Sequence, residues 1–245
     1  MEVCVDSING AIEAAVNGAH RIELCGDLSN GGTTPSYGTI KLVMTKVTIP
    51  VFVMIRPRAG DFCYSDEEFE VMLADIEICA QLKVGGVVFG ILKEDGSVDK
   101  ERCAKLVKCA KNYGLSVTFH RAFDHTSNPL QALEDLISLS IDRVLTSGQH
   151  TSCPEGLETL IQISQQANGR IIMMPGGGLT EANVKNILNA TQAFEIHTSC
   201  RSERTSKMLY KNTRCHLGGT LHQDDFTIKT TDGVRVKGFI NLLNS

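Results

Sequence analysis

Pro50-Val51-Phe52-Val53-Met54-Ile55-Arg56 is a β-branched run of strand length. Pro57-Arg58-Ala59-Gly60-Asp61-Phe62 then breaks it as a loop, and Ser65-Asp66-Glu67-Glu68 carries the spacing of a helical capping box. This strand–loop–helix unit recurs along the chain. Strand-like runs stand at 2–6 (EVCVD), 20–24 (HRIEL), 50–56, 85–89 (GGVVF), 115–120 (LSVTFH), 142–147 (DRVLTS), 170–175 (RIIMMP) and 194–199 (FEIHTS). Helical starts lie between them: Asn128 caps a helix with Pro129 at its first position, and Thr180-Glu181 opens a run carrying Val184, Ile187 and Leu188. Strands that alternate with helices must pair in parallel. The spacing predicts a single (β/α)8 barrel of the TIM type, one domain over 1–245. A long loop, 201–231, follows the eighth strand, and a closing helix covers about 232–243. The rival, a doubly wound open sheet, would usually carry a glycine-rich dinucleotide turn after its first strand. Asp6-Ser7-Ile8-Asn9-Gly10 offers none.

Composition narrows the function classes. With 24 Lys and Arg against 28 Asp and Glu, the net charge is −4, so no basic footprint for nucleic acid is expected. Aromatics are 5% with no Trp, a poor basis for base stacking. No apolar run approaches the ~20 residues of a bilayer span. The nine cysteines are scattered, odd in number, without a CxxC pair and without a preceding signal peptide. They read as reduced thiols of a cytoplasmic protein, with the nucleus left open.

Strand parity predicts what lies inside the barrel, because alternate residues face inward. Placing Val3, Val5, Ile22 and Leu24 under the helices puts Glu2, Cys4, Asp6, Arg21, Glu23 and Cys25 inside. Phe52, Met54 and Arg56 share one face. Thr118 and His120 oppose Val117 and Phe119, while Glu195, His197 and Ser199 oppose Phe194, Ile196 and Thr198. Charges inside must be paired, since burying one alone costs several kcal/mol. Two readings follow: a structural ion-pair network, or a site at the strand C-terminal ends where barrels carry their chemistry. On the second, Glu23, Arg56, His120, Asp124 and His197 are the candidate catalytic residues. His120 would move a proton, and Arg56 and Asp124 would orient a charged group.

The turn Gly176-Gly177-Gly178 after the seventh strand admits two readings as well. It is a tight turn needing positive φ, or a cradle whose N–H groups hold a small anion, helped by Arg201. The 201–231 segment has six basic and three acidic residues. An anion lid, an oligomer contact and a solvated face all fit it.

The stretches MEVCVDS, RIELC, GGTTPSYG, PVFVMIRPRAGDF, VTFHRAFD, RVLTSG, MPGGGLT and EIHTSCRS, in this order, closely resemble the CutC copper homeostasis family. The resemblance weakens beyond about residue 205. It implies a (β/α)8 barrel, a cytoplasmic setting, a homo-oligomer and a role in copper handling with Cu(I) binding. By motif, the family's proposed ligands fall on Cys4 and Cys25. Thiolates are soft and suit Cu(I), with Met54 as a soft neighbour, yet buried cysteine also serves as a small hydrophobe. Copper leaves the polar residues of the mouth unexplained. A barrel enzyme acting on a small anionic or phosphorylated substrate is therefore the alternative.

Overall fold

The computed structural model describes residues 1–212, 214–215 and 224–244. Eight parallel strands form the barrel: β1 (Glu2–Val5), β2 (Arg21–Leu24), β3 (Val51–Met54), β4 (Gly86–Phe89), β5 (Ser116–Phe119), β6 (Arg143–Thr146), β7 (Ile172–Pro175) and β8 (His197–Thr198). They run in the spatial order β7-β6-β5-β4-β3-β2-β1-β8. The seam between β7 and β8 is carried by one parallel bridge, Gly176 to His197, so the barrel is nearly closed. The helices wrapped around it are α1 (Ile8–Val16), α2 (Tyr37–Lys46), α3 (Asp66–Gln81), α4 (Lys100–Asn112), α5 (Pro129–Ser138), α6 (Leu157–Ala167), α7 (Val184–Thr191) and α8 (Gly233–Leu243). Short 3-10 turns at Leu28–Asn30 and Arg121–His125 decorate the loops after β2 and β5.

Local chemistry explains several boundaries. At α3 the capping box forms in both directions: Glu68 N–H donates to Ser65 Oγ at 3.2 Å, and Ser65 N–H donates to Glu68 Oε2 at 2.8 Å. At α5, Gln131 N–H donates to Asn128 Oδ1 at 3.1 Å, and Pro129 needs no partner at the first helical position. Two expectations shift. α7 opens at Val184 rather than Thr180, because Asn183 turns its side chain back, accepting from Thr180 N–H and donating to the Gly178 carbonyl. The segment read as a long loop begins and ends as an antiparallel ribbon, β9 (Arg201–Thr205) with β10 (Thr227–Thr231). Its middle, at 213 and 216–223, lies outside the described residues. The ribbon feeds α8, which packs on α1.

Parity holds around the barrel. Val3, Val5, Ile22, Leu24, Val51, Val53, Val87, Phe89, Val117, Phe119, Val144 and Ile196 belong to the main core under the helices. Cys4, Cys25, Phe52, Met54 and Val88 form a separate small cluster inside. Phe194, assigned by parity to the helix side, is instead 99% exposed, because β8 begins only at His197. Two glycines shape the interior. A Cβ at Gly86 would stand 2.9 Å from the Phe52 ring, and one at Gly90 would stand 2.7 Å from the His120 imidazole. Each glycine vacates the space that a large side chain fills. Among the described residues, no helix is long and apolar enough to cross a membrane.

Candidate functional site

The barrel interior is layered, and its floor is ionic. At the N-terminal ends of the strands Arg21 bridges Glu2 and Glu195 at 2.5 and 2.6 Å, and Arg143 reaches Glu195 at 2.7 Å. Both guanidiniums lie over the Phe52 ring, at 4.8 and 5.4 Å from its centroid. Glu2 is 1% exposed. Burial pulls its carboxyl up, but the His197 and Arg21 charges more than reverse this and hold it at about 2. No floor residue is among those with a buried polar atom lacking a partner.

One layer above sit the thiols. Cys4 Sγ lies 3.8 Å from Cys25 Sγ, and Cys25 donates to Glu23 Oε2 at 3.5 Å. Cys4 stands opposite Glu23 in the β1–β2 register, so Cys25 is its diagonal neighbour on the same inward face. The contact with Cys25, followed by burial, raises the Cys4 thiol well above its ordinary value. The Cys4 contact pulls Cys25 down, but burial and the Glu23 carboxyl push it up to about 12. His197 joins this layer to the floor: Nδ1 donates to Glu2 Oε1 at 2.8 Å, and Nε2 lies 3.8 Å from Glu23 Oε2. Burial opposes a charge on its ring, yet the carboxylates around it, Glu23 first, raise it well above the usual histidine range.

A metal ion fits this donor set. Twice a metal–thiolate bond of about 2.3 Å exceeds the sulfur–sulfur separation, so one ion can touch both atoms. Cys4, Glu23 and Cys25 converge closely enough to share an ion, as do Glu2, Glu23 and His197. The first set is the soft one and suits Cu(I).

The mouth is different. A cavity of about 370 Å³ is lined by Cys4, Glu23, Met54, Arg56, Phe62, His120, Arg121 and His197 among others. Glu23 Oε1, Arg56 Nε and His120 Nε2 are buried and find no partner. An unsatisfied buried polar atom costs about 1–3 kcal/mol, so these three call for partners from within the cavity that they line. Ala122 N–H donates to His120 Nδ1 at 3.1 Å. Burial, then the Arg56 charge, drives the imidazole down to about 3. The ring is therefore neutral near pH 7 with its proton on Nε2, a hydrogen-bond donor rather than a base.

The geometry reassigns other candidates. Arg56 is occupied by backbone carbonyls, donating to Asn30, Gly32 and Gly60 at 3.1, 2.8 and 2.7 Å, so it braces loops. Asp124 accepts from Thr146 Oγ1, Ser147 N–H and Oγ and Gln149 N–H, and pairs with Arg121 Nε at 2.7 Å. Its carboxylate holds the loop after β6. Arg201 pairs with Asp6. Gly177 and Gly178 adopt φ of 111° and 66°, as a tight turn requires, whereas Gly176 carries the β7–β8 bridge. A second lobe of about 440 Å³, lined by Gly177, Gly178, Thr180 and Arg201, joins the first through Cys4, Leu28, Arg121 and His197. Arg121 stands at this junction. It belongs to the HRAFD loop, yet nothing in the order of residues places it over the glycine turn.

Comparison with known proteins agrees with this picture. A family model described as the CutC family matches residues 1–202. A copper homeostasis protein cutC homolog of Homo sapiens is 50% identical over 237 residues, covering 97% of this chain and 86% of that protein. A CutC family protein of Parabacteroides distasonis is 45% identical, covering 98% of each. A crystal structure described as a copper homeostasis protein CutC, from Streptococcus agalactiae, superposes with TM-score 0.76 at 33% identity. It covers 81% of this chain and 97% of that one. Phosphoribosyl anthranilate isomerase of Thermotoga maritima superposes at 0.58 with 11% identity, over 99% and 97%, which speaks for the barrel fold alone. The family model's span and the depth of these identities, on a barrel with paired inward cysteines, establish that the chain belongs to the CutC family.

Proposed function

We propose that this protein handles copper by taking up Cu(I) between Cys4 and Cys25, in a cytoplasmic setting and as a homo-oligomer. The observation that carries the metal site is the 3.8 Å approach of two buried inward thiols, with Met54 in the same interior cluster. Two soft sulfurs inside an otherwise apolar cluster select a soft monovalent ion over the harder cations that carboxylates prefer. Both thiols keep their protons without metal, so uptake of the ion releases protons. Cys4 lines both lobes of the mouth and is the point of entry, while Cys25 is fully buried behind it. The copper homeostasis role of the relatives supports the same assignment.

The test is anaerobic Cu(I) titration against a competing chelator, comparing wild type with Cys4→Ser/Cys25→Ser. The expected result is loss of one tight equivalent of Cu(I) with an unchanged far-UV circular dichroism spectrum. Unchanged affinity and stoichiometry in the double variant would make the cysteines core packing. Sedimentation of the metal-free protein checks the oligomer separately, and a monomer at micromolar concentration would remove that part.

A further inference from the structure

Copper accounts for the sulfur layer and leaves the upper mouth without a purpose. His120 is 4% exposed, its Nδ1 is occupied by the Ala122 N–H, and its Nε2–H has no acceptor in the cavity that it lines. Gly90 lacks a side chain where one would strike the imidazole, so the fold is cut to seat this ring. Across the same cavity Glu23 Oε1 is also without a partner. Ordered water would satisfy each atom singly. A cavity of 370 Å³ is within the range of small-molecule pockets, which are apolar-walled with a few convergent polar groups.

The adjoining lobe supplies the opposite chemistry. Arg121 is fixed by two of its nitrogens: Nε on Asp124 at 2.7 Å, and Nη2 on Ser147 Oγ at 2.6 Å. Its Nη1 lies 3.2 Å from where a Gly177 Cβ would be, so a side chain there would crowd the guanidinium. The loop after the seventh strand is a frequent phosphate site in barrels, and a guanidinium suits an oxoanion. Arg56 and Arg201 are the cations that the sequence offers for this role. Arg56 serves backbone carbonyls and Arg201 serves Asp6; Arg121 also has a carboxylate partner in Asp124, but it stands at the junction of the lobes with Nη1 beside the glycine turn.

We propose that the mouth is a binding site for a small organic phosphate bearing a carbonyl oxygen. Arg121 and the Gly177–Gly178 turn hold the phosphate, and the His120 Nε2–H receives the carbonyl. A neutral imidazole donor polarises a carbonyl without transferring a full charge, the part a neutral histidine plays in enolising enzymes. Cys4 lines both lobes, but no contact assigned to the ligand uses a thiol, so the proposal does not rest on the copper reading.

The experiment is calorimetric titration of the metal-free protein with inorganic phosphate and with glycolaldehyde phosphate, which adds one carbonyl. Backbone amide shifts of Gly177 and Gly178 are followed by NMR. In wild type both probes shift these amides, and glycolaldehyde phosphate binds at least fivefold more tightly. Arg121→Gln weakens both probes at least tenfold, and Arg121→Lys recovers part of the loss. His120→Leu keeps phosphate binding and erases the fivefold preference, whereas His120→Gln, which retains an N–H near the Nε2 position, restores part of it. No binding of either probe at millimolar concentration overturns the proposal. So does a preference that survives in His120→Leu, or an Arg121→Lys variant no better than Arg121→Gln.

Discussion

The floor and the mouth lie at opposite ends of one barrel and treat charge in opposite ways. At the floor, Glu2, Arg21, Glu195 and Arg143 form a chain in which each carboxylate meets a guanidinium. Two or more residues further along, Glu23, Arg56 and His120 each keep a buried atom without a partner. Burying charge is expensive in both places. The floor offsets that expense within itself and acts as a plug. The mouth leaves part of it standing, which a protein tolerates where a ligand completes the set. The thiol pair lies between the two, tied to the floor by His197 and open to the mouth at Cys4.

Breaking the floor should have the largest effect. Arg21→Ala strips one guanidinium from both Glu2 and Glu195, and removing one member of a buried pair costs about 3–5 kcal/mol. Urea denaturation should record that loss; a change under about 1 kcal/mol would mean the floor is not a structural plug.

Acid should expose the mouth next. The folded His120 sits at about 3, and an unfolded histidine near 6.5. Below pH ~6.5 the unfolded chain takes a proton that the folded protein refuses, so this contribution to stability falls as pH drops toward 3. Between neutrality and pH 4 the wild type should lose roughly 3 kcal/mol through this residue, and His120→Gln should escape that part. Parallel stability-versus-pH curves for the two proteins would contradict a neutral buried ring.

Filling the space reserved for the ring should cost less. Gly90→Ala places a methyl against His120 and Ala122, and overpacking of this kind costs about 1–3 kcal/mol. A melting curve superimposable on wild type would show that the ring has room to move aside.

The smallest effect separates the regions most sharply. Glu23→Gln keeps the shape and removes a charge from a half-satisfied group, so stability should change by less than about 1 kcal/mol, in either direction. A loss as large as that of Arg21→Ala would put Glu23 with the floor network.

Strands, caps and parity were legible because they are local. A period of two in EVCVD or VTFH, and a Ser65-x-x-Glu68 box, need no knowledge of the rest of the chain. Cys4 and Cys25 could be placed on neighbouring inward faces for the same reason. Partner choice was not legible. Asp124 and Arg56 looked like site residues because their types suit chemistry, but tertiary structure committed them to a loop and to carbonyl oxygens. The β9–β10 ribbon hides in Arg-Ser-Glu-Arg-Thr, which lacks an apolar face.

By itself, the sequence determined an eightfold strand–helix alternation, a polar barrel interior and the inward pair of thiols, because propensity and periodicity act between near neighbours. Only the tertiary structure decided which charges cancel. The floor joins residues from β1, β2, β6 and the approach to β8, and Arg121 meets a glycine turn two strands away. Closure of the barrel selects those partners, and no local pattern encodes it.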